Sequence, residues 1–252
     1  MKQTTTASAD RAAALQELVA LQREHKVDSS GRLRAAVLGA NDGLVSNVSL
    51  VMGMAGLGPP PGVVLMAGLA GVVAGALSMA LGEYVSVSVQ RESFESLIEL
   101  EKREIALNPA HEQHEIAVIY RAKGIPSADA ERLAAQVMGD PQVTLDLMAR
   151  EELGLNPDEL GAPIAVALSS MAAFAAGATV PVLPLLFLPV ETAAPASAIL
   201  TVLALLVTGG ATAQMIGRPP LRGALRLALL GAVAAAVTNL AGRLAGSFSS
   251  GM

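Results

Sequence analysis

The sequence predicts an all-α membrane protein, five transmembrane helices with a polar helical domain inserted between the second and third spans. Three observations lead there. The 252 residues are 52% hydrophobic and 15% charged, with a mean hydropathy of +0.52, whereas soluble domains carry roughly 25% charged residues. The apolar residues gather in five continuous blocks, each close to or above the roughly 20 residues a helix needs to cross a bilayer. Between the second and third blocks, the stretch 91–160 concentrates 15 acidic and seven basic side chains. A β-barrel is excluded, because the blocks do not alternate and two tyrosines with four phenylalanines cannot build two aromatic girdles.

Taken in order, residues 1–34 are polar and hold six basic side chains, Lys2, Arg11, Arg23, Lys26, Arg32 and Arg34, with no apolar core of a signal peptide. Leu15, Leu18 and Leu21 recur there at helical spacing, so this segment reads as an amphipathic helix on a membrane surface or partner, or as a solvated lead-in helix. Residues 35–90 hold the first two spans. The first, 35–58, is interrupted by Asn41, Asp42 and Asn47. The second, Gly62 to Gln90, contains a single charge, Glu83, and would extend about 43 Å, so its C-terminal end should project beyond the ~30 Å hydrocarbon layer.

Residues 161–252 supply spans three to five and the C-terminus. The third block, Leu160 to Val190, is uncharged and carries Pro163, Pro181, Pro184 and Pro189, which predict kinks or a broken end. Thr192 to Gly217 is also uncharged. The fifth block, about Gly223 to Ala241, has Arg222 and Arg226 at one end, where their head groups can reach the interface. Within 91–160, Asn108-Pro109, Gly124 to Pro126 and Asp140-Pro141 divide the chain into short helices, with Ser127 and Asp140 as expected N-caps and Pro109 and Pro141 at the first helical position.

Lys and Arg cluster in 1–34, in 91–160 and in the connection holding Arg218, Arg222 and Arg226, while the connections near Pro59 to Pro61 and Glu191 have none. By the positive-inside rule the three basic segments are cytoplasmic, which agrees with five crossings and an outside C-terminus. Composition removes several functions as well. Without cysteine there is no disulfide framework, iron–sulfur cluster, thiol chemistry or Cys-based zinc site. A net charge of −5 disfavours nucleic acid and favours cations. No phosphate-binding loop supports ATP-driven transport, and three histidines, all upstream of residue 115, assemble no hydrolase signature.

A carboxylate within a membrane helix costs on the order of 3 kcal/mol, so Asp42 and Glu83 need a polar cavity or partner, unless they reach the interface as helix-end groups. Glu83 lies four residues after Met79, placing a thioether and a carboxylate on one stripe, a donor pair suited to a borderline transition metal. Gly39 with Gly43, and Gly71 with Gly75, allow close helix packing, either within a subunit or between two. In the polar domain Glu101 and Glu104, Glu112 and Glu115, and Met148 and Glu152 each share a helix face. Converging, they would gather five carboxylates and a sulfur that only bound cations could neutralise; kept apart, they are solvated acidic faces. Glu92, Glu95 and Glu99 fall roughly opposite Glu101 and read as solvated or subunit-facing. His111-Glu112-Gln113-His114-Glu115 is not a zinc-protease motif, because Glu115 stands where the second histidine belongs, and the Glu-x-x-His pairs of di-iron bundles are absent; either histidine remains a peripheral ligand candidate.

The runs Ala40 to Ser46 (ANDGLVS) and Ser78 to Ser86 (SMALGEYVS), followed by an acidic insertion before the third span, resemble the vacuolar iron transporter family over about residues 30–245. That resemblance implies a homodimer that moves Fe2+, and often Mn2+, out of the cytosol in exchange for protons, with no prosthetic group. It puts the membrane pathway on Asp42 and Met79, with Glu83 in the same motif and the route between two subunits. The cytoplasmic metal ligands fall on Glu101, Glu104, Glu112, Glu115, Met148 and Glu152. The Ala- and Gly-rich composition looks bacterial and implies a plasma-membrane setting, the N-terminus being cytoplasmic by the placing of Lys and Arg. Fe2+, Mn2+ and Zn2+ are all compatible with such ligands. Two rival expectations are a passive metal channel gated by the polar domain and a non-transporting, membrane-anchored iron-binding protein.

Overall fold

The computed structural model describes residues 31–60, 62–155 and 161–249, all-helical among the described residues. The leucine stripe at Leu15, Leu18 and Leu21 lies outside them, as do residues 156–160 between the polar insertion and the third span. Among the described residues, five helices are long and apolar enough to cross a membrane. The chain is thus built as a multi-pass membrane protein, in agreement with the five blocks.

Helix α1 spans Arg32–Leu57 and starts three residues before the apolar block. Gly58 (φ 70°) and Gly62 (φ 91°) then adopt the left-handed backbone that turns the chain into α2. Helix α2 runs unbroken from Val63 to Leu107, 45 residues and therefore about 68 Å. The boundary near residue 90 is one of composition; the backbone crosses it without a break.

The polar insertion continues with α3 (Pro109–Ala122), α4 (Ser127–Val137) and α5 (Pro141–Glu151). Pro109 and Pro141 hold the first helical positions as expected. Asp140 caps α5, its carboxylate accepting from the Gln142 and Val143 backbone N–H groups at 3.1 and 3.4 Å. Ser127 does not cap α4. Pro126 occupies the N-cap and Ser127 falls one residue inside, because the extended backbone of proline already makes the turn. Ile116, Ala117, Ala134 and Met148 form the small core of this unit.

The third span is α6 (Pro163–Thr179), a 3-10 turn at Val180–Val182 and α7 (Leu183–Phe187), so the prolines break it near its far end. Helices α8 (Val190–Met215) and α9 (Pro220–Ser249) complete the bundle. Helix α1 lies at its centre, against α6, α9, α2 and α8. Its closest approach, to α6, depends on glycine: a Cβ on Gly39 would lie 2.6 Å from the Ser170 carbonyl oxygen, and one on Gly43 2.8 Å from the Ala178 nitrogen. Gly71 and Gly75 likewise accommodate Asn47 with Leu50, and the Phe174 ring. All four glycines therefore serve packing within one subunit.

Candidate metal site and membrane groove

The Asn108-Pro109 turn folds α3 back along α2, and α5 packs against the same end of α2. This docking brings Glu101, Glu112 and Glu152 together: each offers a carboxylate oxygen within 4.8 Å of the other two. Glu101 and Glu112 are 2% and 3% exposed, too buried for ordinary solvated acids. Glu101 Oε1 and Glu112 Oε2 are buried without a hydrogen-bond partner. An unpaired buried carboxylate oxygen is costly, and a cation at this point would compensate it.

Electrostatics agree with the geometry. Burial lifts the Glu101 carboxyl to about 7, and the negative charges of Glu152, Glu112, Glu104 and Glu115 add to the shift. Glu112 and Glu152 are also raised, first by burial and then by Glu115 and other neighbouring carboxylates, with His111 opposing. All five predicted glutamates thus contribute to one field, three at the centre and Glu104 and Glu115 around them. Met148 is fully buried among Ile116, Ala117 and Ala134, one turn before Glu152, whose backbone N–H donates to the Met148 carbonyl at 2.9 Å. His111 Nε2 sits 3.3 Å from Glu115 Oε1 at the edge of the cluster. Glu92, Glu95 and Glu99 are exposed on this chain; Arg91 pairs with Glu95 at 2.8 Å and Arg103 with Glu99 at 3.7 Å.

The second constellation lies between two of the helices long enough and apolar enough to cross a membrane. Asp42, Met79 and Glu83 line one open groove of about 580 Å³ between α1 and α2. Its walls run along α1 from Arg34 to Leu50 and along α2 from Gly71 to Ser86, about 24 Å of helix rise on the first wall. Ser46, four residues after Asp42, turns its hydroxyl onto the Asp42 carbonyl at 2.6 Å, so the Asp42 carboxylate is left to the groove.

Asn47 was visible in the sequence only as an interruption. In the structure it is 2% exposed, and its Nδ2 donates to the Gly68 carbonyl on α2 at 3.2 Å and the Ala178 carbonyl on α6 at 2.6 Å. An amide within an apolar helix needs such partners, and that requirement was the available signal. The same holds for Asn239 on α9, which donates to the Met52 carbonyl on α1 at 2.9 Å.

Comparison with known proteins adds a family model described as "VIT family", matched over residues 33–243. The chain is 33% identical over 222 residues to "Vacuolar iron transporter 1" of Eucalyptus grandis, covering 88% of this chain and 89% of that protein. It is 35% identical over 218 residues to "Vacuolar iron transporter" of Acanthamoeba castellanii, covering 85% and 80%. A shorter match to "Vacuolar iron transporter homolog 4" of rice reaches 57% over 76 residues, 30% of this chain and 34% of the relative.

Proposed function

This chain belongs to the vacuolar iron transporter family, and on that premise we propose that it is a proton-coupled exporter of divalent metal, Fe2+ first and Mn2+ second. The observation that carries the reading is the shared groove: a carboxylate at Asp42, a thioether at Met79 and a carboxylate at Glu83 on facing walls of a membrane-embedded cleft. This donor set offers both hard oxygen and soft sulfur to a borderline divalent ion.

In this reading the polar insertion is cytoplasmic and collects the ion. Glu101, Glu112 and Glu152 are the inner ligands, with Glu104, Glu115 and Met148 completing the set. Their raised proton affinity makes binding an exchange in which the incoming ion displaces protons. Asp42 then receives the ion and Glu83 stands at the groove mouth, where α2 leads toward the insertion. Either carboxylate can return a proton when the ion leaves, Asp42 being our first assignment.

A homodimer with the route between its subunits fits the exposure of Asp42, because a charged group on an open membrane surface needs cover. Exposed Met66, Leu69, Val73, Leu77 and Leu81 on α2 would face a second copy or lipid. The basic segments support a cytoplasmic N-terminus, and the composition supports a bacterial plasma membrane.

Reconstituted vesicles test the proposal. Flux of Fe2+ or Mn2+ should accelerate when an opposing pH gradient is imposed and should carry protons the other way. Flux that follows only the metal gradient and voltage would establish a passive channel instead, and binding without flux a non-transporting metal carrier.

A further inference from the structure

Asn47 holds an unspent oxygen at the inner end of the groove. Two carbonyls at 2.6 and 3.2 Å fix which end of the amide is nitrogen, so the opposite end is Oδ1. That oxygen is buried without a hydrogen-bond partner, and the residue lines the groove that holds Asp42 and Met79. A Cβ on Gly71 would lie 2.5 Å from it, so only glycine lets α2 approach this oxygen so closely. Asn47 lies five residues beyond Asp42, about 7.5 Å deeper along α1. Beyond it the helices close on an apolar cluster of Val51, Val64, Leu185 and Ala193.

We propose that Asn47 Oδ1 is a coordination point for the transported divalent cation, the oxygen it meets after Asp42 and before the apolar closure, and that this neutral ligand sets which metals pass. The inference rests on the transport reading above. A divalent ion leaving a carboxylate needs a replacement oxygen where the helices close around it. A second carboxylate would trap it, whereas an amide oxygen binds weakly enough to let go. Carbonyl-type oxygen also suits Mn2+ and Fe2+ better than softer or strictly tetrahedral ions. The Nδ2 bonds to α2 and α6 hold the amide in place, so no side-chain ordering is needed when the ion arrives.

The test uses the full-length protein in vesicles, with Mn2+ and Zn2+ as probes. Asn47→Ser shortens the side chain and places a hydroxyl that can bond its own helix, as Ser46 and Ser49 do. Asn47→Leu keeps most of the volume without an oxygen. Both should lower Mn2+ flux about tenfold and shift the Mn2+/Zn2+ flux ratio about fivefold toward Zn2+, while Mn2+ binding at the Glu101 cluster stays unchanged. A uniform loss for both metals, or flux within twofold of wild type, overturns the proposal. Should neither variant remain folded, anomalous scattering from Mn2+-loaded wild-type crystals decides: Mn2+ about 2.1–2.4 Å from Oδ1 supports it, and water alone there overturns it. Absence of flux in the wild-type protein overturns the transport reading together with this one; wild-type flux with unaffected variants overturns this one alone.

Discussion

Proton competition at Glu101 should make metal capture depend steeply on pH. With its carboxyl raised to about 7, the free site holds a proton in roughly ten of eleven molecules at pH 6 and in one of eleven at pH 8. For a ligand that must be deprotonated, the apparent Kd scales as one plus the ratio of protonated to ionised sites. That factor is about 11 at pH 6, 2 at pH 7 and 1.1 at pH 8, so affinity should improve about tenfold between pH 6 and 8, close to 1.4 kcal/mol. Raised Glu112 and Glu152 act in the same direction and make tenfold a lower bound. Calorimetric titration of the purified protein with Mn2+, repeated in buffers of different ionisation enthalpy, measures both the slope and the protons released. Glu101→Gln should weaken binding at pH 8 and flatten the slope. A Kd constant from pH 6 to 8, or a variant that keeps the full slope, would refute the reasoning.

Three further outcomes follow from the same geometry. In metal-free protein the native state holds more protons at Glu101 than the unfolded chain does, so stability should fall as pH rises from about 4.5 to about 7 and then level off. Glu101→Gln should accordingly raise the metal-free Tm at pH 8, by an amount corresponding to about 1–3 kcal/mol, and leave it little changed at pH 4. Asp42→Asn should reduce flux in vesicles to background while Mn2+ still titrates the glutamate cluster; proton-coupled flux persisting in that variant removes Asp42 from the pathway. Gly39→Ala, whose Cβ would press on the Ser170 carbonyl oxygen at 2.6 Å, should cost about 1–3 kcal/mol, read as a lowered Tm. Gly82→Ala meets nothing within 4 Å and should leave the Tm unchanged or higher.

The spans were legible because lipid imposes one simple demand, an unbroken apolar helix, and proline with glycine marks the ends. Pro109 and Pro141 fall at helix starts as expected, whereas Pro163, expected to kink or break the third block, begins its helix because proline suits the first helical position. Helical spacing also singled out Glu101, Glu112 and Glu152, whose carboxylates the fold brings together. It could not say that Glu101 and Glu112 would be buried while Glu104 stays exposed, since that division depends on how α3 and α5 dock on α2. Ser127 was misplaced by one residue because serine and proline compete for the same cap. That Asn47 needs polar partners was legible, but not which ones, as they lie 21 and 131 residues away. Distant pairings of that kind leave no local pattern to read.

The uninterrupted course of α2 ties two distant events mechanically. Met79 and Glu83 stand on the same rod as Glu101, about 27 Å from Glu83 to Glu101, with no proline between to act as a joint. Under the proposed function, a bound cation that drew the glutamates together would pull on a lever arm. A swing of about 5° at the far end would displace it about 2.4 Å relative to the intramembrane wall, comparable to the width of a metal–oxygen bond. Under the proposed function, loading at the glutamates and passage through the groove would act at two ends of one continuous helix.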